Sequence, residues 1–98
     1  MNEISAQELK NKIDNGENPF IIDVRENIEY HTFNIGGKHC PLALLNDYLE
    51  ELPENKDLEI IVVCQRGIRS RTAQKILINA GYQNVKNLKS GLIAFSRI

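Results

Sequence analysis

The chain has 98 residues, which fits one domain (residues 1–98) with a core that needs no disulfide or structural metal. Its 12 Lys and Arg residues nearly balance 13 Asp and Glu residues, and no basic run with aromatic neighbours points to nucleic-acid binding. Two cysteines are too few for a disulfide framework, and no segment is apolar enough for a signal peptide or a membrane span. We therefore expect a cytoplasmic protein that binds neither nucleic acid nor membrane.

The charges are distributed unevenly along the sequence. Through Glu59 there are thirteen carboxylate side chains and five Lys or Arg residues, whereas residues 60–98 contain seven Lys or Arg residues and no Asp or Glu. A local positive field of this kind favours the approach of an anionic ligand. Solvated surface charge, distributed by chance, is the competing explanation.

Near the N-terminus the pattern predicts a helix and then a buried strand. Ser5 and Glu8 have the spacing of a capping box that opens an amphipathic helix, and Asn15-Gly16 ends it. The largely apolar, β-branched run at residues 20–24 is typical of a parallel strand that is covered on both faces. Asp23, near the end of that strand, is out of place in a core.

The middle of the chain predicts two further helices. Residues 25–30 indicate a loop that turns into a short helix, and Gly36-Gly37 marks a turn. Pro41 suits the start of the next helix, because its missing N–H group costs nothing there. Four leucines at helical spacing would form the apolar face of that helix: Leu42, Leu45, Leu49 and Leu52.

The second half of the chain predicts two strands and two helices in alternation. Residues Ile60–Val63 form a β-branched run that predicts a buried strand. From Ser70 onward, apolar residues repeat at helical spacing up to Gly81, the expected left-handed stop. A short strand at Val85–Leu88 and an amphipathic helix at residues 92–98 complete the pattern.

Strands that alternate with helices predict an α/β fold, here a three-layer α/β/α sandwich with a mainly parallel sheet of about five strands. Functional residues in such folds lie at the carboxyl ends of the strands. Cys64 directly follows the apolar run at residues 60–63 and precedes a tight, glycine-containing turn. The loop at residues 64–70 is therefore the candidate active site.

The position of Cys64 suits a thiolate nucleophile. A thiol at the mouth of a strand-to-helix loop faces backbone N–H groups and the positive end of the helix dipole, which favour the thiolate without a histidine base. Arg66 and Arg69 add guanidinium donors that fit a tetrahedral oxyanion, and Gly67 lets the backbone curl inward. Gln65, Ile68 and Ser70 complete the loop.

Each of these residues has a plainer interpretation. A cysteine at a strand end is most often a small buried residue, although burial here would strand the polar groups that follow it. Arg66 could be a solvated loop residue, and Arg69 could anchor Asp23 or Glu29 instead of binding an anion. Ser70 is at least as well suited to capping the helix as to a direct catalytic role.

The chain resembles the single-domain rhodaneses over nearly its whole length. Their active-site loop, C-x-x-G-x-R, is similar to residues 64–70, and their upstream D-V-R-E…E-Y signature is similar to Asp23-Val24-Arg25-Glu26 with Glu29-Tyr30. Their closing segment, G-Y…N-V…L…G-G…A-W, is similar to Gly81-Tyr82, Asn84-Val85, Leu88, Gly91 and Ala94-Phe95.

The resemblance implies sulfur transfer without a cofactor. The Cys64 thiolate would attack the outer sulfur of thiosulfate or of a persulfide donor, and a Cys64 persulfide would remain after sulfite or its equivalent leaves. Cyanide or a thiol, a protein thiol included, would then accept the sulfur. The loop amides would hold the persulfide and the arginines the donor's oxyanion, with Asp23, Arg25 and Glu29 in supporting positions.

Two other functions fit the same loop. A phosphatase or arsenate reductase related to the dual-specificity cell-cycle phosphatases has five residues between cysteine and arginine, whereas Cys64 and Arg69 are separated by four. The shorter interval suits one sulfur atom better than a phosphoryl group. A sulfur-relay or docking module is the third interpretation, and the intact cysteine counts against a purely structural role.

Four residues depart from the family's usual pattern. Phe33-Asn34 stands where many relatives have Gly-His, Ser90 replaces the first of two glycines, and Phe95 replaces a tryptophan. None of these lies in the loop at residues 64–70. We therefore expect them to affect local packing and partner surfaces more than sulfur chemistry.

The second cysteine and the two histidines are not expected to take part. Cys40 could resolve a persulfide or pair with Cys64, but it precedes Pro41 at a position where the family that the chain resembles carries an aliphatic residue, which implies a packed small side chain. His31 and His39 lack the partner spacing that suggests a metal site.

Overall fold

A computed structural model describes residues 2–98, which form a five-stranded parallel sheet between two layers of helices. The strand order is β1-β5-β4-β2-β3, and all four strand pairs are parallel. The strands are β1 at Glu3–Ile4, β2 at Phe20–Asp23, β3 at Lys38–His39, β4 at Ile60–Val63 and β5 at Val85–Leu88. The predicted α/β architecture is confirmed, and the sheet is wholly rather than mainly parallel.

Strand β4 is the central strand of the sheet, and all four of its residues are buried. Ile60 and Val62 enter the apolar cluster on one face, while Ile61 and Val63 enter the cluster on the opposite face. Side chains alternate across a strand, so a continuous β-branched run is the pattern that fills both layers at once.

Residues 2–98 contain five α-helices, four of which pack on the faces of the sheet. They are α1 at Ala6–Asp14, α2 at Asn27–Thr32, α3 at Leu45–Tyr48, α4 at Arg69–Asn79 and α5 at Gly91–Phe95. Helices α3 and α4 pack on one face through Leu45, Ala73 and Leu77, and α1 and α5 pack on the other through Leu9 and Leu92. None of the helices within residues 2–98 is long and apolar enough to cross a membrane.

Most of the predicted elements lie where the sequence pattern put them. The capping box of α1 is present in full, since the Ser5 hydroxyl accepts the Glu8 amide and the Glu8 carboxylate accepts the Ser5 amide, each at 3.0 Å. Helix α4 begins at Arg69, so Ser70 lies inside the first turn and does not cap the helix. The capping role considered for Ser70 is therefore wrong.

Two predicted helices differ from the observed ones. The segment after Pro41 is broken into a 3₁₀ turn at Leu42–Leu44, the short helix α3 and a second 3₁₀ turn at Leu49–Glu51. At the start of this segment, Leu42 N donates to Val24 O, just after β2, at 3.0 Å. The tight 3₁₀ turns keep the segment within reach of that carbonyl. The last helix starts at Gly91 and ends at Phe95, shorter than the predicted 92–98.

The two edge strands, β1 and β3, have no sequence prediction because each is only two residues long. Strand β3 follows Gly36 and Gly37, both of which have positive φ. A Cβ at Gly37 would lie 2.6 Å from the backbone oxygen of Ile21, in strand β2, whereas a Cβ at Gly36 would meet nothing within 4 Å in the described part of the chain.

This difference predicts unequal costs for two neighbouring substitutions. Gly36→Ala should lower the free energy of unfolding by about 1–2 kcal/mol, the cost of a left-handed backbone for alanine. Gly37→Ala should lower the free energy of unfolding by roughly 1–3 kcal/mol more than Gly36→Ala does, because its Cβ also forces β2 and β3 apart. Urea denaturation of both variants measures the comparison, and equal losses would contradict the close approach at Gly37.

Candidate active site

The site lies at the carboxyl edge of the sheet, where β2 and β4 end side by side. Asp23 pairs in register with Val63, so the residues that follow each strand leave the sheet at the same level. Cys64 follows β4 directly and is 1% exposed. Parallel pairing therefore brings residues some forty positions apart in sequence, such as Arg25 and Gln65, into contact.

The sulfur of Cys64 is surrounded by hydrogen-bond donors of its own loop. Gly67 N lies 3.1 Å and Ser70 N lies 3.3 Å from Cys64 Sγ, and both N–H groups point at the sulfur. Gly67 has a φ of 89°, a left-handed conformation that turns its amide inward. Two amide donors and the start of α4 make the pocket favourable for a negative sulfur.

The loop is fixed from behind by α5. Leu92 N donates to Cys64 O at 2.9 Å, and Ile93 N donates to Gln65 O at 3.1 Å. A Cβ at Gly91 would lie 2.3 Å from Gln65 O, so only glycine permits this approach. The start of α5 therefore sets the direction of the peptide groups on either side of the thiol.

Asn87 is a buried site residue that sequence reasoning missed. Its side-chain amide donates to Gly67 O at 3.0 Å, and its oxygen accepts from the Ser70 hydroxyl. Ser70 Oγ also lies 3.2 Å from Cys64 Sγ. The only sequence signal was an asparagine in the strand at residues 85–88, where polar side chains also occur for solvent exposure.

Asp23 and Arg25 form a buried ion pair beneath the loop. Arg25 is 2% exposed, and its Nη2 lies 2.8 Å from Asp23 Oδ2. The same guanidinium donates to Phe33 O at 2.6 Å and lies 3.5 Å from Gln65 Oε1. Arg25 thus connects the end of β2 to the segment after α2 and to the Cys64 loop. A buried pair of this kind is costly to break, because the remaining charge would be uncompensated.

Arg69 pairs with Glu29 across the mouth of the site. Its two terminal nitrogens donate to the two carboxylate oxygens of Glu29 at 2.6 and 2.8 Å, a bidentate arrangement. The hydrogen bond from Arg69 lowers the pKa of Glu29 to about 2. The pairing matches the anchoring alternative considered for Arg69, and it leaves the oxyanion role for this residue as a prediction.

Arg66 has a different environment from the other two arginines near the thiol. It is exposed, and among residues 2–98 no carboxylate forms an ion pair with it. It lines a cleft of about 350 Å³ whose other lining residues are Glu29, Cys64, Gln65, Ile68 and Arg69. Its guanidinium therefore keeps all its donors available to a bound anion.

A second cleft continues from the first. It has a volume of about 420 Å³, and Glu29 and Gln65 line both clefts. Three apolar side chains along this double groove are exposed to solvent: Ile28 at 78%, Ile68 at 70% and Phe33 at 47%. The groove is thus much larger than a small inorganic anion and carries exposed apolar side chains in both of its clefts.

The structure brings the sequence-predicted site residues together in two layers. Five loop residues line the cleft together with Glu29: Cys64, Gln65, Arg66, Ile68 and Arg69. Gly67 and Ser70 direct their amides at the sulfur, and Asp23 holds Arg25, whose guanidinium reaches Gln65 of the loop. Among residues 2–98, no group of three or more His, Cys, Asp and Glu side chains could hold a metal ion.

Cys40 is a free, fully buried cysteine in the apolar cluster on the α3 and α4 side of the sheet. Burial raises the pKa of its thiol, so the side chain is less reactive than an exposed cysteine. Its packing agrees with the expectation of a small apolar side chain.

The sequence and fold match known proteins over most of the chain. A family model of the rhodanese-like domain matches residues 5–97. A sulfurtransferase from Allochromatium vinosum is 31% identical over 98 residues, which cover 99% of this chain and 90% of that protein. The Bacillus subtilis protein YrkF is 37% identical over 91 residues, but this chain spans only about half of its length, 48%.

Solved structures give the same result. The rhodanese-like domain protein from Staphylococcus aureus superposes with a TM-score of 0.87 at 29% identity, covering 97% of this chain and 91% of that one. A thiosulfate sulfurtransferase from Pseudomonas aeruginosa superposes with a TM-score of 0.85 at 29% identity, covering 99% of this chain and 19% of that one.

The lowered pKa of Glu29 predicts a pH-dependent contribution to stability. The pKa of Glu29 is about 2 in the folded chain, whereas a free glutamate side chain has a pKa of 4.5. The ionised pair therefore stabilises the fold above pH 4.5. That contribution is lost as the pH falls through 2. Glu29→Gln should therefore reduce the free energy of unfolding by about 0.5–1 kcal/mol at pH 7, and by progressively less in acid.

Urea denaturation between pH 2 and pH 7 measures this difference. Glutamine can still accept the Glu26 amide that Glu29 accepts at 3.0 Å, so the start of α2 is preserved. Glu54→Gln, at an exposed position, is the matched control and should change stability little at any of these pH values. A Glu29→Gln deficit that persists near pH 2 would show that the ion pair is not its source.

Proposed function

Because the chain belongs to the rhodanese-like domain family, we propose that it is a sulfurtransferase that carries sulfur on Cys64 as a persulfide. The observation that supports this proposal is the cradle of amide donors around Cys64 Sγ, with Gly67 N at 3.1 Å and Ser70 N at 3.3 Å. Such a cradle stabilises a sulfur anion, and it needs no separate base to ionise the thiol.

In the first half of the proposed reaction, thiosulfate or a persulfide donates its outer sulfur. The Cys64 thiolate attacks that sulfur, a new bond forms to Sγ, and the donor's S–S bond breaks. The electron pair of the broken bond leaves with sulfite, or with the thiolate of a persulfide donor. The outer sulfur of the resulting Cys64 persulfide is anionic and would be held by the loop amides.

In the second half, a thiophilic acceptor removes the sulfur. The carbon of cyanide or the sulfur of a thiolate attacks the outer sulfur of the persulfide, whose bond to Sγ breaks. Its electron pair returns to Cys64 as thiolate. No oxidant, reductant or cofactor enters, because each bond that forms is matched by one that breaks.

Arg66 is the proposed contact for the oxyanion of the donor. Its guanidinium is exposed in the cleft that holds Cys64, whereas Arg69 already shares both terminal nitrogens with Glu29. An unpaired guanidinium offers planar donors that match two oxygens of a tetrahedral anion. In this arrangement Arg69 contributes positive charge at the mouth, and Arg25 supports the loop from below.

A second candidate function is sulfur relay to a larger thiol, such as a cysteine of another protein. The double groove favours it, since clefts of about 350 and 420 Å³ with exposed Ile28, Phe33 and Ile68 exceed what thiosulfate or cyanide fills. Exposed apolar surface beside a reactive group is typical of contact with an organic partner. A relay protein would form the persulfide from a cysteine desulfurase and show negligible thiosulfate:cyanide turnover.

The covalent mechanism predicts a specific mass change. Intact-mass measurement after thiosulfate treatment should show the addition of one sulfur atom, removed by a thiol reductant. Cys64→Ala should abolish the adduct, because only the thiolate can form the new bond. Cys40→Ala, which changes the other cysteine of the chain, should retain it.

Two results would overturn this mechanism. An adduct that survives in Cys64→Ala would place the sulfur elsewhere, and no adduct from thiosulfate or from a persulfide donor would exclude sulfur transfer. Robust turnover of an aryl phosphate that depends on Cys64 would instead favour the phosphatase alternative.

The proposed role of Arg66 predicts a change in donor binding. Arg66→Ala should raise KM for thiosulfate about three- to tenfold with a smaller effect on kcat, since it removes an exposed charge-assisted contact. Arg71→Ala removes the same charge from an exposed position of α4 outside the cleft lining and serves as the control. Steady-state kinetics at low and high salt measure both, and equal effects would point to a general field instead of a contact.

A further inference from the structure

The side chain of Asn87 joins two parts of the Cys64 loop from the neighbouring strand. It is 1% exposed, and Ser70 and Cys64 beside it are equally buried, at 0% and 1%. Asn87 Nδ2 lies 3.0 Å from Gly67 O, and its Oδ1 lies against Ser70 Oγ. Water is thus kept out of a chain of contacts that ends at the reactive sulfur.

The direction of each hydrogen bond follows from the groups involved. Gly67 O is a carbonyl and only accepts, so the NH₂ group of Asn87 must face it. The amide oxygen of Asn87 therefore faces Ser70, and since that oxygen also only accepts, the Ser70 hydroxyl must donate. A hydroxyl has one hydrogen, so Ser70 Oγ presents only lone pairs to Cys64 Sγ at 3.2 Å.

This orientation suits some states of the sulfur and opposes others. A protonated thiol can donate to Ser70 Oγ, and the neutral Sγ of a persulfide is a weak acceptor that demands nothing from it. A thiolate, however, would face the oxygen lone pairs. It gains a donor only if the Ser70 hydroxyl rotates away from Asn87 and points at the sulfur.

We propose that Asn87 is a positioning residue that accepts the hydrogen bond of the Ser70 hydroxyl while Cys64 carries the persulfide. When the S–S bond breaks and Cys64 becomes a thiolate, the hydroxyl turns from Asn87 and donates to Sγ. The proposal rests on the proposed sulfur transfer. The hydroxyl thereby donates to whichever neighbour carries more negative charge. The same asparagine keeps the Gly67 amide aimed at the sulfur by holding the carbonyl of that residue.

The competition has a consequence for each half of the reaction. The persulfide state keeps the bond between Ser70 and Asn87, whereas the transition state for sulfur release must give it up to stabilise the departing thiolate. Asn87 therefore slows loss of the sulfur to solvent or to poor acceptors. Without an acceptor at position 87, the hydroxyl would be free to stabilise the thiolate throughout.

A double-mutant cycle tests this mechanism directly. Asn87→Leu removes both hydrogen bonds of the amide while retaining side-chain volume, and Ser70→Ala removes the hydroxyl. The persulfide is loaded first, and its discharge to cyanide is followed by intact mass for the wild type, both single variants and the double variant. Circular dichroism verifies the fold, and Asn87→Ala enters the same cycle if the leucine variant does not fold.

The expected result is a coupling of defined sign. Asn87→Leu should increase the rate constant for discharge when Ser70 is present. This increase should be about two- to tenfold larger than the change that Asn87→Leu causes in the Ser70→Ala background, which is the range expected for one net hydrogen bond. Loosening of the Gly67 carbonyl acts in both backgrounds and cancels from this ratio. A ratio of one or less would overturn the proposal, because a purely structural asparagine would act equally in both.

A matched control is available in α4. The buried Gln74 also donates to a backbone carbonyl of β5, from Nε2 to Val85 O at 2.7 Å. Gln74→Met should change discharge by less than about twofold and show no coupling with Ser70→Ala, because its contacts do not include the hydroxyl. Coupling of equal size at Gln74 would mean that any buried amide packed against β5 produces the effect.

Alkylation separates this inference from the proposed function. The rate of reaction of Cys64 with iodoacetamide reports thiolate attack and requires no sulfur donor. The same cycle measured by alkylation should show coupling of the same sign, since an unheld hydroxyl stabilises the thiolate. If no donor forms a persulfide, the proposed function fails, while the alkylation cycle still decides the role of Asn87.

Discussion

The site depends on two backbone hydrogen bonds from the start of α5, donated by Leu92 N to Cys64 O and by Ile93 N to Gln65 O. The first amides of a helix have no partner within it, so they are free to bind carbonyls elsewhere. Fixing these two carbonyls on the α5 side leaves the later N–H groups of the loop to converge on the sulfur. The approach requires Gly91, because any Cβ there would lie 2.3 Å from Gln65 O.

The three arginines nearest the thiol divide according to burial and pairing. Arg25 is buried and bound to Asp23, Arg69 is half-buried and bound to Glu29, and Arg66 is exposed without a carboxylate partner in the described chain. A buried ion pair fixes geometry at a desolvation cost, while an unpaired exposed guanidinium is free to bind. Positive charge is therefore fixed below the loop and available only at its rim.

The sequence was sufficient for the features set by local pattern. Continuous β-branched runs located β2 and β4, a capping box located α1, and a cysteine at a strand end located the loop. The edge strands β1 and β3 were missed because two-residue strands carry no periodicity. Asn87 was missed because its bonds to Gly67 and Ser70 exist only once β5 lies beside the loop.

The distribution of charges along the sequence did not predict which positive groups are paired in the folded chain. Residues 60–98 lack side-chain carboxylates, which predicted a positive site, yet Glu29 enters from the first half and binds Arg69. Pairing across parallel strands brings distant segments together and lies beyond any count along the sequence. Of the two arginines that line the Cys64 cleft, Arg69 is paired with Glu29, so Arg66 is the one without a carboxylate partner in the described chain.

The site thus combines a narrow cradle with a wide approach. The N–H groups of Gly67 and Ser70 point at Sγ from 3.1 and 3.3 Å, and Cys64 is only 1% exposed, so the cradle encloses the thiol closely. The groove beyond it is wider, and Ile28, Phe33 and Ile68 are exposed along it. Because the cleft that holds Cys64 shares only Glu29 and Gln65 with the second cleft among the described residues, Ile28 and Phe33 can change without altering the contacts of the cradle.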